Sequence, residues 1–201
     1  SEDRIDYLPD GAAYISLSQF YGDAPAQFCS AVEKFNEEGC TSLILDLRSD
    51  GGGFVKVMQR IAACFEGCDG GSVAMEARYK SGKREVYRID AASPQPTVSK
   101  DADVYVLANS NTASASEALI GCLVSYGVLE YGDIYISEYT RDYLDAVGLT
   151  AEQLKSGKTY GKGIMQSTFL NPVTGEALKL TTAQIYWPDG TTIHGRGLSS
   201  A

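Results

Sequence analysis

The chain has 201 residues, 44% of them hydrophobic and 21% charged, with a formal net charge of −9. That balance suits one globular domain with one substantial core and argues against a nucleic-acid partner, which requires a basic surface. No apolar run approaches the roughly 20 residues that cross a bilayer as a helix, and the polar opening Ser1-Glu2-Asp3-Arg4 does not read as a signal peptide.

In chain order, residues 12–20 alternate apolar and polar like a strand. Asp23 offers a helix N-cap, Pro25 sits in the first turn, Phe28, Val32 and Phe35 mark one helical face, and Gly39 ends it. Residues 42–47 form an apolar strand that runs into Arg48-Ser49-Asp50-Gly51-Gly52-Gly53. A second helix is expected with Val55, Met58, Ile61, Ala62 and Phe65 inward and Gly67 at its end. Residues 72–90 predict a hairpin turning at Ser81-Gly82-Lys83, 104–108 a short strand, and Ser114 to Tyr126 a third helix. Residues 166–196 read as β structure broken by turns at 171–175 and 188–190. The order is α/β with strands outnumbering helices. Residues 134–158 interrupt this rhythm with a helix-like stretch and the capping-box pattern Thr150-Ala151-Glu152-Gln153, and read as a surface insertion or a lid.

The five cysteines, at 29, 40, 64, 68 and 122, are an odd set in a long chain and predict small buried residues, not a disulfide scaffold. With one histidine, His194, far from them, no zinc site is expected, and no cofactor.

Three small-residue segments stand at strand and helix ends: Gly51-Gly52-Gly53, Thr112-Ala113-Ser114-Ala115-Ser116-Glu117, and Gly161-Lys162-Gly163. A serine opening a helix has its hydroxyl beside unpaired backbone N–H groups, which can stabilise an oxyanion. Ser114-Ala115-Ser116-Glu117 is equally a capping box whose job is to start the helix. The glycine turn admits positive φ and close backbone approach. A lysine serves as general base when neutral, which calls for desolvation, yet a lysine between two glycines also suits a surface turn. No G-x-S-x-G elbow, S-x-x-K pair, dinucleotide fingerprint or P-loop is present, and a Ser-His-Asp triad would depend on His194 alone. A serine nucleophile in this chain therefore pairs best with a lysine.

The order of these pieces resembles the S41 family of serine peptidases, the C-terminal processing or tail-specific proteases. Residues 44–53, ILDLRSDGGG, resemble its I-L-D-L-R-x-N-x-G-G motif, and Ser114-Ala115-Ser116-Glu117 its S-A-S-E motif. Residues 159–166, TYGKGIMQ, resemble T-x-G-K-G-x-x-Q, and 180–193 the closing L-T-x-A-x-Y-x-P-x-G-x-x-I strands. The resemblance covers nearly the whole chain. It implies a ClpP/crotonase-like spiral of β-β-α units with additional β-hairpins, and one S41-like catalytic domain over residues 1–201 with an insertion at about 134–158.

The resemblance further implies a serine endopeptidase, with Ser114 as nucleophile, Lys162 as general base and Gln166 orienting the lysine amine. The oxyanion hole would be the N–H of Ala115 with that of Gly52 or Gly53. Its partners would be protein or peptide substrates, and its location extracytoplasmic in a bacterium. Three features depart from the family pattern. Ser125 stands where many members carry an acid, 11 positions after the nucleophile. The PDZ domain common in members is not in this chain. The 48 positions between Ser114 and Lys162 are about twice the spacing the resemblance implies, the surplus falling in 134–158. A catalytically silent peptide-binding or scaffold domain on the same fold is the competing reading, and a small-acyl esterase or amidase a third.

Overall fold

The computed structural model describes residues 5–7, 11–91, 95–137 and 155–200. Five strands form one sheet in the order β1-β2-β3-β6-β7. They are β1 (Ile5–Tyr7), β2 (Ala12–Ser16), β3 (Ser42–Asp46), β6 (Asp103–Asn109) and β7 (Ile134–Ser137). β2, β3, β6 and β7 run parallel, with Ile15 opposite Leu45, Leu45 opposite Val106 and Val106 opposite Ile134; β1 caps the edge antiparallel to β2. The period-2 pattern explains the burial: Ala13 and Ile15, Leu43 and Leu45, Val104 and Val106, and Ile134 and Ile136 all point into the core.

Three helices return the chain between these strands, as parallel pairing requires. In α1 (Ala24–Glu37), Phe28, Ala31, Val32 and Phe35 are the buried face, Asp23 is the N-cap residue without a side-chain cap bond, and Gly39 turns the chain at φ 65. α2 (Val55–Ala62) buries Val57, Met58, Ile61 and Ala62. Val55 is only half-buried, and Phe65 enters the core from just beyond the helix. α3 (Ala115–Ser125) is buried along Ala115–Leu123, so it is a central helix with no solvent stripe over most of its length.

A second, antiparallel sheet has the order β5-β4-β9-β8, from β4 (Val73–Tyr79), β5 (Arg84–Arg88), β8 (Ile164–Leu170) and β9 (Ala177–Tyr186). It docks on α3 through Trp187: a Cβ added at Gly121 would stand only 2.0 Å from Cδ2 of the indole. The β8–β9 hairpin extends beyond this contact, and its outer Leu170, Val173 and Leu178 are exposed.

Two elements end earlier than the sequence suggests, β2 at Ser16 and α2 at Ala62, well short of Gly67, and the structure departs from expectation in two further places. Residues 134–137 are the fifth strand of the main sheet and so are not part of an insertion. Beyond Tyr186 the chain is turns up to a single bridge between Lys158 and Ser199, so the β reading that continued to 196 stops ten residues early. The helix-like stretch and the pattern at 150–153 lie outside the described residues. Among the described residues no helix is long and apolar enough to cross a membrane.

Candidate active site

Two turns leave the C-terminal ends of the adjacent parallel strands β3 and β6, the edge where α/β sheets present ligand sites. The Leu47 N–H donates to the Leu107 carbonyl (2.8 Å), and the Thr112 hydroxyl donates to the Leu47 carbonyl (2.7 Å). Ser49, at φ 63, donates its N–H to Asn109 Oδ1 (2.9 Å), and Asn109 Nδ2 returns a bond to Ser49 Oγ (3.1 Å). The Asp50 carbonyl accepts from the Ala113 N–H (2.9 Å) and the Ser116 hydroxyl (3.0 Å). The glycine turn is thereby laced to the Ser114 turn. A Cβ at Gly52 would stand 2.7 Å from both the Ala113 carbonyl and the Ala115 nitrogen, so only glycine fits there.

Under the glycine turn lies a buried ion pair. Arg48 Nε and Nη2 donate to the two oxygens of Asp46, at 2.9 and 2.6 Å, and the Tyr14 hydroxyl adds a third bond. Burial alone would raise the Asp46 pKa; the hydrogen bonds from Arg48 and Tyr14, with the arginine charge, outweigh it and hold the carboxyl below its usual range.

Ser114 adopts φ 61 and ψ −114, a conformation rare for a residue with a side chain. Its N–H is taken by Glu117 Oε2 (3.0 Å). Among the described residues, the N–H groups of Ala115 and Gly53 donate to no protein acceptor, and Ala115 is the first residue of α3, where orphan donors are expected. The Gly52 N–H differs: it donates to Asp50 Oδ1 at 2.8 Å. Of the two glycine amides considered from the sequence, the Gly53 N–H is thus the one left unengaged.

Glu117, 1% exposed, does more than cap the helix. Its Oε1 accepts the Thr159 hydroxyl (2.6 Å) and the Gly161 N–H (2.8 Å). Its Oε2 accepts the Lys162 N–H (2.9 Å) beside that of Ser114. One carboxylate therefore joins the backbones of residues 114 and 162. The glycines flanking the lysine let the strand lie against the turn at 193–198: a Cβ at Gly161 would be 2.6 Å from the Gly197 nitrogen, and one at Gly163 would be 2.8 Å from the His194 nitrogen.

These segments close around a cleft of about 460 Å³ that Ser114, Ala115, Gly53, Lys162 and Gln166 all line. Gln166 and Thr168 face it from one side of β8, the register shift at Met165/Gln166 brings Met165 to that same side, and Ile164 at the start of the strand with Lys162 just before it completes the wall. Among the described residues Lys162 Nζ forms no hydrogen bond with Ser114 Oγ; the two meet as walls of one cleft.

The model of peptidase family S41 matches residues 11–130, more than half of the chain. The chain belongs to peptidase family S41. A CtpA-like serine protease of Staphylococcus aureus (strain N315) is 29% identical over 195 residues, 96% of this chain and 34% of the relative, so the chain spans about a third of that relative's length. Among solved structures, the photosystem II D1 C-terminal processing protease superposes with a TM-score of 0.66 at 24% identity, covering 96% of this chain and 43% of its own. An S41 protease from Bacteroides fragilis NCTC 9343 gives 0.70 at 18% identity, covering 98% and 49%. At these identities the structural likeness speaks for the α/β S41 fold.

Other residues raised by the sequence lie away from the S41 cleft. His194 is exposed and borders a separate depression beside Arg78 and Tyr186. The Ser125 hydroxyl bonds back to the Gly121 carbonyl (2.7 Å) and holds the end of α3. The cysteines are free thiols, three buried and two half-buried, and no cluster of metal-ligating side chains occurs among the described residues. Sequence reasoning missed the cleft's apolar wall of Met75, Tyr87, Met165 and Ile185, contributed by four strands of the second sheet. It also saw Glu117 only as a cap, since nothing local announces partners 42–45 positions away.

Proposed function

We propose that this S41 domain is a serine endopeptidase of C-terminal processing type, acting on protein or peptide substrates through an acyl-enzyme at Ser114. The observation that carries the reading is the shared Glu117 carboxylate, which draws Ser114 and Lys162 to one cleft from 48 positions apart.

In the proposed reaction Ser114 Oγ attacks the scissile carbonyl carbon while Lys162 Nζ takes the hydroxyl proton. The lysine side chain has the torsions to swing across the cleft, and catalytic hydrogen bonds commonly tighten only when substrate is bound. Gln166, which lines the same cleft, receives and orients the amine. The unengaged N–H groups of Gly53 and Ala115 receive the oxyanion, where each well-placed donor is worth about 10²–10³ in rate. Collapse of the intermediate returns the proton from Lys162 to the leaving amine, and water then releases the acyl group by the same steps in reverse. Substrates are proteins or peptides outside the bacterial cytoplasm, a location supported by the bacterial CtpA-like relative.

A fluorophosphonate probe tests the assignment. Labelling should occur at Ser114, vanish in Ser114→Ala and fall to background in Lys162→Ala. Labelling that persists in Lys162→Ala removes the lysine from the role of base. Binding of unstructured peptide with no labelling and no turnover would instead support the silent binding domain.

A further inference from the structure

Four of the five cysteines meet in pairs across the helical layer. Cys29 lies in α1 and Cys64 two residues past α2, with their sulfurs 3.4 Å apart. Cys68 and Cys122 are likewise in side-chain contact, but both are buried. The first pair differs in access: Cys29 is half-buried and reachable from solvent, whereas Cys64 is sealed behind it.

We propose that Cys29 and Cys64 are a redox-active pair that closes into a reversible disulfide and braces α1 to the end of α2. A disulfide needs the sulfurs at roughly 2.05 Å, so the pair has little more than an ångström to travel. The flanking residues hold it in place: Phe28 and Phe65, each next to one of the cysteines, pack ring against ring with centroids 5.8 Å apart. The Cys64 sulfur also sits 3.7 Å from the Arg60 carbonyl, as donor, and 3.8 Å from Gln95 Nε2, as acceptor, which fixes its direction.

The oxidant is a low-molecular-weight disulfide such as oxidised glutathione. The Cys29 thiolate attacks one of its sulfurs, forming a mixed disulfide and expelling the first small thiolate. Cys64 then loses its proton and attacks the Cys29 sulfur, expelling the second. Two protein thiols are oxidised and one small disulfide is reduced to two thiols, with both protons ending on the released thiols or the solvent. Burial and the neighbouring Cys29 push the Cys64 thiol pKa up, which makes the second step the slow one and places first attack on Cys29. The pair lies at the opposite end of α2 from the Gly51–Gly53 turn, so closure stiffens the scaffold without entering the cleft.

The test incubates the folded chain with oxidised glutathione, blocks remaining thiols with N-ethylmaleimide, and maps the digest by mass spectrometry without reduction. The expected product is a crosslinked peptide pair through Cys29 and Cys64, two hydrogens lighter than the sum and separated again by a reductant. Its Tm should rise by about 5–10 °C, from closing a loop between residues 29 and 64. Cys29→Ser and Cys64→Ser should each lose the crosslink and the rise; Cys64→Ala repeats the second without placing a hydroxyl in the core, and Cys40→Ser should change neither. A lasting glutathione adduct on Cys29, maleimide on both cysteines, or a crosslink through any other cysteine overturns the proposal. A crosslink that leaves Tm unmoved overturns the bracing.

Discussion

The indole of Trp187 occupies the place where residue 121 would carry a side chain, in the middle of the helix that Ser114 begins. This contact closes the antiparallel sheet onto α3, and Trp187 is buried by it. Gly121→Ala would force ring and helix apart. Overpacking of this kind costs about 1–3 kcal/mol, which for a chain of this size is roughly 2–12 °C in Tm. A thermal scan of the variant checks it, and an unchanged Tm would mean that the sheet does not rest on Gly121.

Glu117 is a positioning residue. Glu117→Gln keeps the shape but turns half of a four-bond acceptor into a donor, facing either Ser114 and Lys162 or Thr159 and Gly161. Each frustrated buried group costs about 1–3 kcal/mol, so Tm should fall. The rate of fluorophosphonate labelling at Ser114 should drop about 10- to 100-fold. A variant that loses stability yet labels at the wild-type rate would reduce Glu117 to a helix cap.

Gly52→Ala tests the lacing of the two turns. Gly52 holds φ 91, and the new Cβ would meet Ala113, Ser114 and Ala115 within 2.8 Å. Relief requires displacing the Ser114 backbone, so labelling should fall at least about tenfold, since about 1.4 kcal/mol of misplacement suffices for that. Labelling at the parental rate would show that the turn yields elsewhere.

The Asp46–Arg48 pair makes stability depend on acid. A carboxyl whose pKa is depressed by folding stabilises the protein above its unfolded value, and that contribution is lost as pH falls through the folded value. For Asp46 the unfolded value is 3.8, so the loss begins as pH drops below it. Asp46→Asn removes the carboxylate that holds Arg48 Nε and Nη2 and should cost about 3–5 kcal/mol at neutral pH. Melting both proteins from pH 7 down to pH 2 should show the gap between them narrowing only below about pH 4.

Much of this architecture was legible because its signals are local. Leu43 and Leu45 declare a strand by alternation, Phe28, Val32 and Phe35 a helix face by spacing, and the glycine turn sits between strand and helix within ten residues. β7 was not legible: four residues, Ile134–Ser137, become a strand only because β6 offers a parallel edge some thirty positions earlier. The same limit hid the second role of Glu117. A capping box predicts the bond to the Ser114 N–H, but the bonds to Thr159, Gly161 and Lys162 exist only once the chain has folded back. The Gly52 and Gly53 amides, equivalent in sequence, were separated by one carboxylate, Asp50, whose reach is a matter of turn geometry.

The Gly157 N–H donates to the Ile136 carbonyl at 2.7 Å, and three residues later Tyr160 bonds to Thr112. The chain thus departs from the end of β7 and comes back to within one hydrogen bond of its point of departure before it supplies the lysine. Whatever length of chain is spliced between 137 and 157, Lys162 is delivered to the same address. The count of residues between Ser114 and Lys162 can therefore change while the two stay at one cleft, and this junction is a natural port for grafting new sequence onto the scaffold.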